Sequence, residues 1–172
     1  MKIKVFNIVL VVLMVMWQLS TAQNSKKMEY NKLTPQEEKV LLFKATDRPF
    51  TGDYYLKKDI GTYVCRRCNA ALYRSADKFE AHCGWPSFDD EIKGSVKRIP
   101  DADGMRTEIV CSNCGGHLGH VFLGEGFTAK NTRHCVNTSS LKFIPAGTPL
   151  PEVIFYYRYF YVERSLTISN VA

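Results

Sequence analysis

Apolar and polar positions follow three different rhythms along the 172 residues. Near the start, Lys2 and Lys4 precede an unbroken apolar run from Ile8 to Trp17, which the small residues Ser20, Thr21 and Ala22 follow. A short positive region, a brief apolar run and small residues before a cleavage point predict a signal peptide over residues 1–22. The run is short for a hydrocarbon core of about 30 Å. An uncleaved membrane anchor extended through Leu19 is the alternative. Residues 23–32 are mostly polar and read as a flexible leader. A helical start follows at Thr34-Pro35-Gln36-Glu37, where Thr34 can cap, Pro35 fits the first turn and Glu37 completes a capping box. Val40, Leu41 and Phe43 supply its apolar side, and "TDRPFTGDY" (46–54) stops it with Pro49 and Gly52.

From Gly61 the rhythm shortens. "GTYVC" (61–65), "ALYRS" (71–75), "VKRIP" (96–100), "MRTEIVC" (105–111), "HLGHVFL" (117–123) and "SLKFIP" (140–145) are rich in β-branched and aromatic residues and bounded by Gly, Asp, Asn or Pro. Such segments predict strands, with "DADG" (101–104) as a turn between two of them. No long helical period interrupts residues 61–145, so the expectation is one mainly β domain with a helical N-terminal arm, over residues 33–151. Residues 152–172 form a separate extension. Six of the eight residues from Phe155 to Val162 are aromatic, which suits either an added strand or an exposed interaction patch.

Charge changes the picture little. The formal net charge is +6, to which Lys2 and Lys4 contribute, and basic residues never run beyond a pair. Scattered positive charge suits a soluble surface and disfavours nucleic acid as partner. The expected location is exported, periplasmic or extracellular. A monomer is expected, with membrane contact only if the N-terminal segment stays uncleaved.

Cysteine spacing changes the picture most. Cys65-Arg66-Arg67-Cys68 and Cys111-Ser112-Asn113-Cys114 are two C-x-x-C units with 42 residues between them. Two turns that each offer two thiolates can converge on a structural four-sulfur zinc site with no open position for substrate. Asn69 and Gly115 after the pairs permit the tight backbone such turns need. Disulfides are the rival in an oxidising compartment. A redox C-x-x-C is disfavoured because it belongs at a helix start in a βαβ unit.

Cys135 in "NTRHCVN" (131–137) and Cys83 in "AHCGWPSF" (81–88) remain. Arg133 is a permanent cation beside Cys135 and His134 can become another, and nearby positive charge favours thiolate. The bland alternative is a small buried hydrophobe on a strand. His117 and His120 flank a glycine-containing segment and can reach one pocket as acid–base groups. Metal ligation or ordinary surface placement would explain them equally simply. Trp85, set between Gly84 and Pro86, offers an aromatic face or plain core packing.

"CGWPSF" (83–88), "CSNCGGHLGHVF" (111–122) and "RHCVNTSSLKF" (133–143), in this order with two C-x-x-C units, resemble the methionine sulfoxide reductase B family. "FTGDYYLKKDIGTYVCRRC" (50–68) extends the likeness, which covers about residues 33–151. The resemblance implies two antiparallel β-sheets packed together, with a distal zinc site on Cys65, Cys68, Cys111 and Cys114. It implies reduction of methionine R-sulfoxide, free or in proteins, to methionine, a repair after oxidative stress. By motif position, Cys135 would be the nucleophile and Cys83 the resolving cysteine. His117, His120, Arg133 and Asn137 would be active-site residues, and Trp85 a wall for the substrate methyl group. The implied partner is a thioredoxin-like reductant that reopens a transient redox-active Cys135–Cys83 disulfide. Two departures stand out. Glu125 lies in "GEGFTAKNT" (124–132), where relatives often have a nearby aspartate, and His134 occupies a position that is often tyrosine.

Overall fold

The helix start read from the sequence closes as a reciprocal pair of hydrogen bonds. In a computed structural model that describes residues 29–155, the Glu37 amide donates to Thr34 Oγ1 at 3.3 Å. The Thr34 amide donates to Glu37 Oε2 at 2.8 Å. Helix α1 (Pro35–Phe43) begins there and ends at Lys44, whose φ of 57° turns the chain into the left-handed region. It stops before Pro49 and Gly52, because the Lys44 cap already redirects the backbone. Val40 and Leu41 are buried as their spacing suggests, whereas Phe43 is exposed.

Among the described residues nine strands follow: β1 (Gly61–Cys65), β2 (Ala71–Arg74), β3 (Lys78–Phe79), β4 (Ser87–Phe88), β5 (Val96–Pro100), β6 (Thr107–Cys111), β7 (His117–Leu123), β8 (Thr132–Val136) and β9 (Leu141–Pro145). They form a three-stranded sheet in the order β2-β1-β9 and a six-stranded sheet in the order β3-β4-β8-β7-β6-β5. All pairings are antiparallel. The mainly β, two-sheet architecture expected from the sequence is therefore present. "DADG" joins β5 to β6, with the Gly104 amide donating to Asp101 O. Strands β3, β4 and β8 carry no clean alternation and escape the sequence pattern. The first two are only two residues long, and β8 buries Arg133 and His134.

One core joins the two sheets. Tyr63 of β1, Tyr73 of β2 and Phe88 of β4 are fully buried. Tyr73 stacks on Phe88 at 4.3 Å between centroids, and Tyr63 meets Phe88 edge-on at 5.1 Å. Such pairs each add about 0.5–1.5 kcal/mol beyond burial. Leu72, Ile109, Leu118, Val136 and Leu141 complete the same cluster.

The ends of the described chain lie against the first C-x-x-C turn. Within the expected leader, Asn31 donates from its side chain to Arg66 O and Asn69 Oδ1, and the Arg67 guanidinium sits 4.3 Å over the Tyr30 ring. At the other end the Ile154 amide donates to Cys68 O at 2.9 Å. Asn69 and Asn113 donate to the carbonyls of Glu152 and Ile154. The expected signal segment, residues 23–28 of the expected leader and the tail from residue 156 lie outside the described residues. No helix among the described residues is long and apolar enough to cross a membrane.

Candidate active site

Strand alternation decides what surrounds Cys135. Residues two apart on a strand share a face, and immediate neighbours do not. On β8 this puts Arg133 with Cys135 and sends His134 to the opposite side. His134 is fully buried, with Nδ1 3.1 Å from the Tyr73 hydroxyl and Nε2 3.2 Å from the Arg98 guanidinium. Burial, followed by the Arg98 charge, pushes its pKa down to about 4. The expectation that His134 adds a cation beside the sulfur is therefore corrected: the ring is neutral at pH 7 and belongs to the core.

Cys83 reaches the same place from the β3–β4 loop. Ser87 stands opposite Cys135 in the β4–β8 ladder. The turn before it folds Cys83 Sγ to 3.5 Å from Ser87 Oγ and 3.6 Å from Trp85 O. The loop is clamped from outside, since the Phe50 amide donates to Gly84 O at 2.8 Å. Gly84 has a φ of +91°, and a Cβ there would lie 2.6 Å from the Pro49 side chain, so only glycine fits without a shift.

The two sulfurs are hydrogen-bonded to each other, and Arg133 donates to Cys83 Sγ at 3.6 Å. The bond from Cys135 is the main cause that lowers the Cys83 pKa to about 5, with smaller help from Ser87, the Trp85 backbone and the Arg133 charge. Cys135 is pushed up by that same bond and by burial, while Arg133 pulls it down. The interaction between the two thiols, with the Arg133 charge beside them, favours a single thiolate shared by the pair.

Arg133 is itself fixed. Its Nε and one terminal nitrogen donate to the two oxygens of Glu125 at 2.7 and 2.9 Å. The guanidinium carbon lies 4.4 Å from the Phe122 ring centroid. A bidentate carboxylate aligns the fork-shaped cation, and Glu125 gains a positioning role that the sequence did not reveal.

The histidines depend on a bulge. His117 and His120 are three apart, so strict alternation would place them on opposite faces. Between β6 and β7, Ile109 pairs with Gly119 and Val110 with His117, which leaves Leu118 as an extra residue. The rings consequently meet edge-on at 5.6 Å between centroids. His120 stands directly across from Cys135. A Cβ on Gly119 would lie 2.0 Å from the Cys135 carbonyl oxygen, so glycine permits this close approach of β7 to β8. Each ring is held by one carboxylate, through opposite nitrogens: His117 Nδ1 by Glu108 and His120 Nε2 by Asp101, both at 2.7 Å.

A cleft of about 140 Å³ is lined by Thr46, Trp85, Arg106, Gly119, His120, Phe122, Cys135 and Asn137. The Trp85 indole donates to Asp47 O at 3.0 Å. Asn137 is buried and donates to Leu118 O while accepting from the Asp47 amide. Asp47 accepts in turn from Ser139 N and Oγ, so one carboxylate ties the α1 exit to the end of β8. His117 lies behind this surface, 2% exposed. Asp47, Asp101 and Glu108 were not read from the sequence. The available signals were the first acid of "DADG" and a lone charge within the strand "TEIVC".

The remaining four cysteines form the second centre. Cys65 ends β1, Cys111 ends β6, and both turns repeat the same bonds. The Cys65 amide donates to Ala70 O and the Asn69 amide to Cys65 O, just as Cys111 donates to Gly116 O and Gly115 to Cys111 O. Asn69 and Gly115 both adopt positive φ. All four sulfurs lie within 4.8 Å of one another, with 3.6 Å between Cys65 and Cys114 and between Cys68 and Cys111. Tetrahedral bonds of about 2.3 Å put sulfurs roughly 3.8 Å apart, so the donor set fits one metal ion. Such an ion would tie the three-stranded sheet to the six-stranded sheet.

Residues 33–145 match the family model described as the SelR domain. The chain is 52% identical over 119 residues to peptide methionine sulfoxide reductase B3 of Arabidopsis thaliana, covering 69% of this chain and 68% of that protein. It is 50% identical over 119 residues to the chloroplastic B2 protein of the same plant, covering 69% of this chain and 59% of that protein. Over 116 residues it is 50% identical to the B5 protein of Oryza sativa subsp. japonica, covering 67% of this chain and 85% of that protein. The match thus spans about three fifths of the chloroplastic B2 protein's length. With both cysteine centres and the cleft in place, the chain belongs to the SelR-domain family, the methionine sulfoxide reductase B family of oxidoreductases.

Proposed function

We propose that the cleft reduces methionine R-sulfoxide, free or within proteins, to methionine. The observation that carries this reading is the Cys83–Cys135 pair beside Arg133, with Cys135 lining a cleft that also holds Trp85 and His120. Trp85 offers its face to the substrate methyl and sulfur, contacts of a kind worth about 0.3–1.5 kcal/mol. His120, its Nε2–H held by Asp101, acts as an acid that delivers a proton from Nδ1 to the sulfoxide oxygen, which makes the sulfur electrophilic.

Cys135 attacks that sulfur. Its proton is shared with Cys83, and Arg133 stabilises the anion on whichever sulfur bears it. The oxygen, protonated, then passes from the methionine sulfur to Cys135 Sγ as the new S–S bond and the S–O bond to methionine both break; Cys135 is oxidised by two electrons to a sulfenic acid, and methionine departs reduced by two electrons. The Cys83 thiol condenses with the sulfenic acid, water leaves, and a Cys83–Cys135 disulfide forms. A thioredoxin-like dithiol reduces it and is oxidised in turn. Cys65, Cys68, Cys111 and Cys114 would hold a zinc ion, which would supply structural cross-linking alone because four thiolates leave no open position for a substrate.

The N-terminal segment supports an exported protein, with residues 33–151 as the catalytic domain. In such a compartment the reductant would need electrons relayed across the membrane. Single-turnover reduction of racemic methionine sulfoxide, followed by chiral analysis, tests the reading. One methionine per enzyme from the R epimer, with the S epimer untouched, is expected. Equal consumption of both epimers would overturn the assignment of stereochemistry, and no methionine at all would overturn the activity.

A further inference from the structure

Behind His117 a line of charged groups runs from solvent into the core. Lys44 has a side chain 63% exposed, and its ammonium lies 2.7 Å from Glu108 Oε2. The other carboxylate oxygen, Oε1, lies 2.7 Å from His117 Nδ1, with both of these side chains only 3% exposed. His117 Nε2 is buried and has no hydrogen-bond partner among the described residues. Two backbone irregularities create this line. The left-handed turn at Lys44 ends α1 where its side chain can reach β6. The bulge at Leu118 brings His117 round to the Glu108 carboxylate, although the ladder partner of Glu108 is His120.

A neutral imidazole carries one N–H, and the partner of one nitrogen decides where that proton resides. An ionised carboxylate can only accept. Facing Glu108, the proton must sit on Nδ1, and Nε2 keeps its lone pair. Burial keeps His117 below the ordinary imidazole range despite Glu108. Burial also lifts the Glu108 carboxyl, but hydrogen bonds from Lys44 and His117 outweigh it and hold the group ionised. A protonated Glu108 could instead donate to Nδ1 and reverse the tautomer.

We propose that Glu108 is a positioning residue, kept ionised by Lys44, that fixes His117 with its proton on Nδ1 and its buried Nε2 as an acceptor beside His120. The inference rests on the reading of the cleft as the sulfoxide-reducing site. His117 meets the His120 ring edge-on at 5.6 Å, so its fixed orientation bears directly on that ring. His120, held through Nε2 by Asp101, presents the opposite nitrogen. His120 gives a proton from that nitrogen to the sulfoxide oxygen, and His117 fixes the ring from behind.

The test is nitrogen-15 NMR of the full chain with labelled histidine, beside steady-state kinetics. In the wild type at pH 7, His117 is expected neutral with its proton on Nδ1. Glu108→Gln should populate the Nε2–H tautomer and lower kcat on the order of tenfold, with KM changed less than twofold. Lys44→Met should shift the tautomer in the same direction and lower kcat about twofold to threefold. Because the Lys44 side chain is exposed, that variant keeps the test open if the buried substitution disturbs the core. A wild-type proton on Nε2, or a tautomer unmoved in both variants, overturns the proposal. Failure of the wild type to reduce any sulfoxide would refute the reading of the cleft, while the tautomer measurement would still stand by itself.

Discussion

The molecule uses six cysteines in two centres built on opposite principles. At the four-cysteine centre, two turns with the same hydrogen-bond pattern present three buried cysteines and the half-buried Cys114 to one another. Every donor is symmetric with another, and nothing else is needed except a metal ion. At the Cys83–Cys135 centre, a loop residue meets a strand residue from far along the chain, and the partners are unlike: Arg133, Ser87, Trp85 O and a cleft. Sulfur that is saturated by its neighbours becomes structure. Sulfur left beside a cation and an opening remains available for chemistry.

Exchange of one cysteine in each centre separates the two most sharply. Cys135→Ser should reduce kcat by about a thousandfold or more while bound zinc, measured by elemental analysis, stays at wild-type content. Cys83→Ser should still release one methionine per enzyme but lose turnover with a dithiol reductant, since nothing resolves the sulfenic acid. Full cycling by that variant would remove the proposed disulfide step. Cys111→Ser should do the reverse of both: zinc is lost, and stability falls by several kcal/mol, roughly 10 °C or more in melting temperature. Chelation of the metal from the wild type should mimic it.

Acid exposes a further contrast. The thiolate of Cys83 exists above its lowered pKa of about 5 and is lost as pH falls through that value. Its alkylation by iodoacetamide, followed by mass spectrometry, should therefore stay nearly constant from pH 8 to 6 and fall about tenfold per unit well below 5. An ordinary thiol would already slow as pH falls below about 8.5. The smallest effect separates neighbours on one strand. Arg133→Lys, which loses the bidentate grip of Glu125, should lower kcat/KM by on the order of tenfold. His134→Phe should change it less than twofold, while melting shows a loss of about 1–3 kcal/mol from the buried Tyr73 hydroxyl left without its partner.

How much was legible varies with the length scale of each feature. The capping box at Thr34 and Glu37 is a four-residue device, so its residues state it outright. The C-x-x-C turns are similarly local, and only their convergence needed the fold. The roles of Glu125 and Glu108 could not be read, because their partners are set by loop closure and by the bulge at Leu118. His134 misled for the same reason: adjacency to Cys135 in sequence says nothing of distance once a strand sends neighbours to opposite faces.

By itself, the sequence determined the β texture, the capped helix, the paired cysteine turns and, through its motifs, the family likeness. All of these arise from interactions within a few residues or from residue types whose chemistry is fixed. The tertiary structure alone decided that Cys83 and Cys135 meet beside Arg133, that His134 is a core residue, and that Lys44, Glu108 and His117 form one line. Each of these depends on burial and on charges brought together across strands. Only a folded chain lowers the local dielectric enough for such pairings to govern where a proton resides.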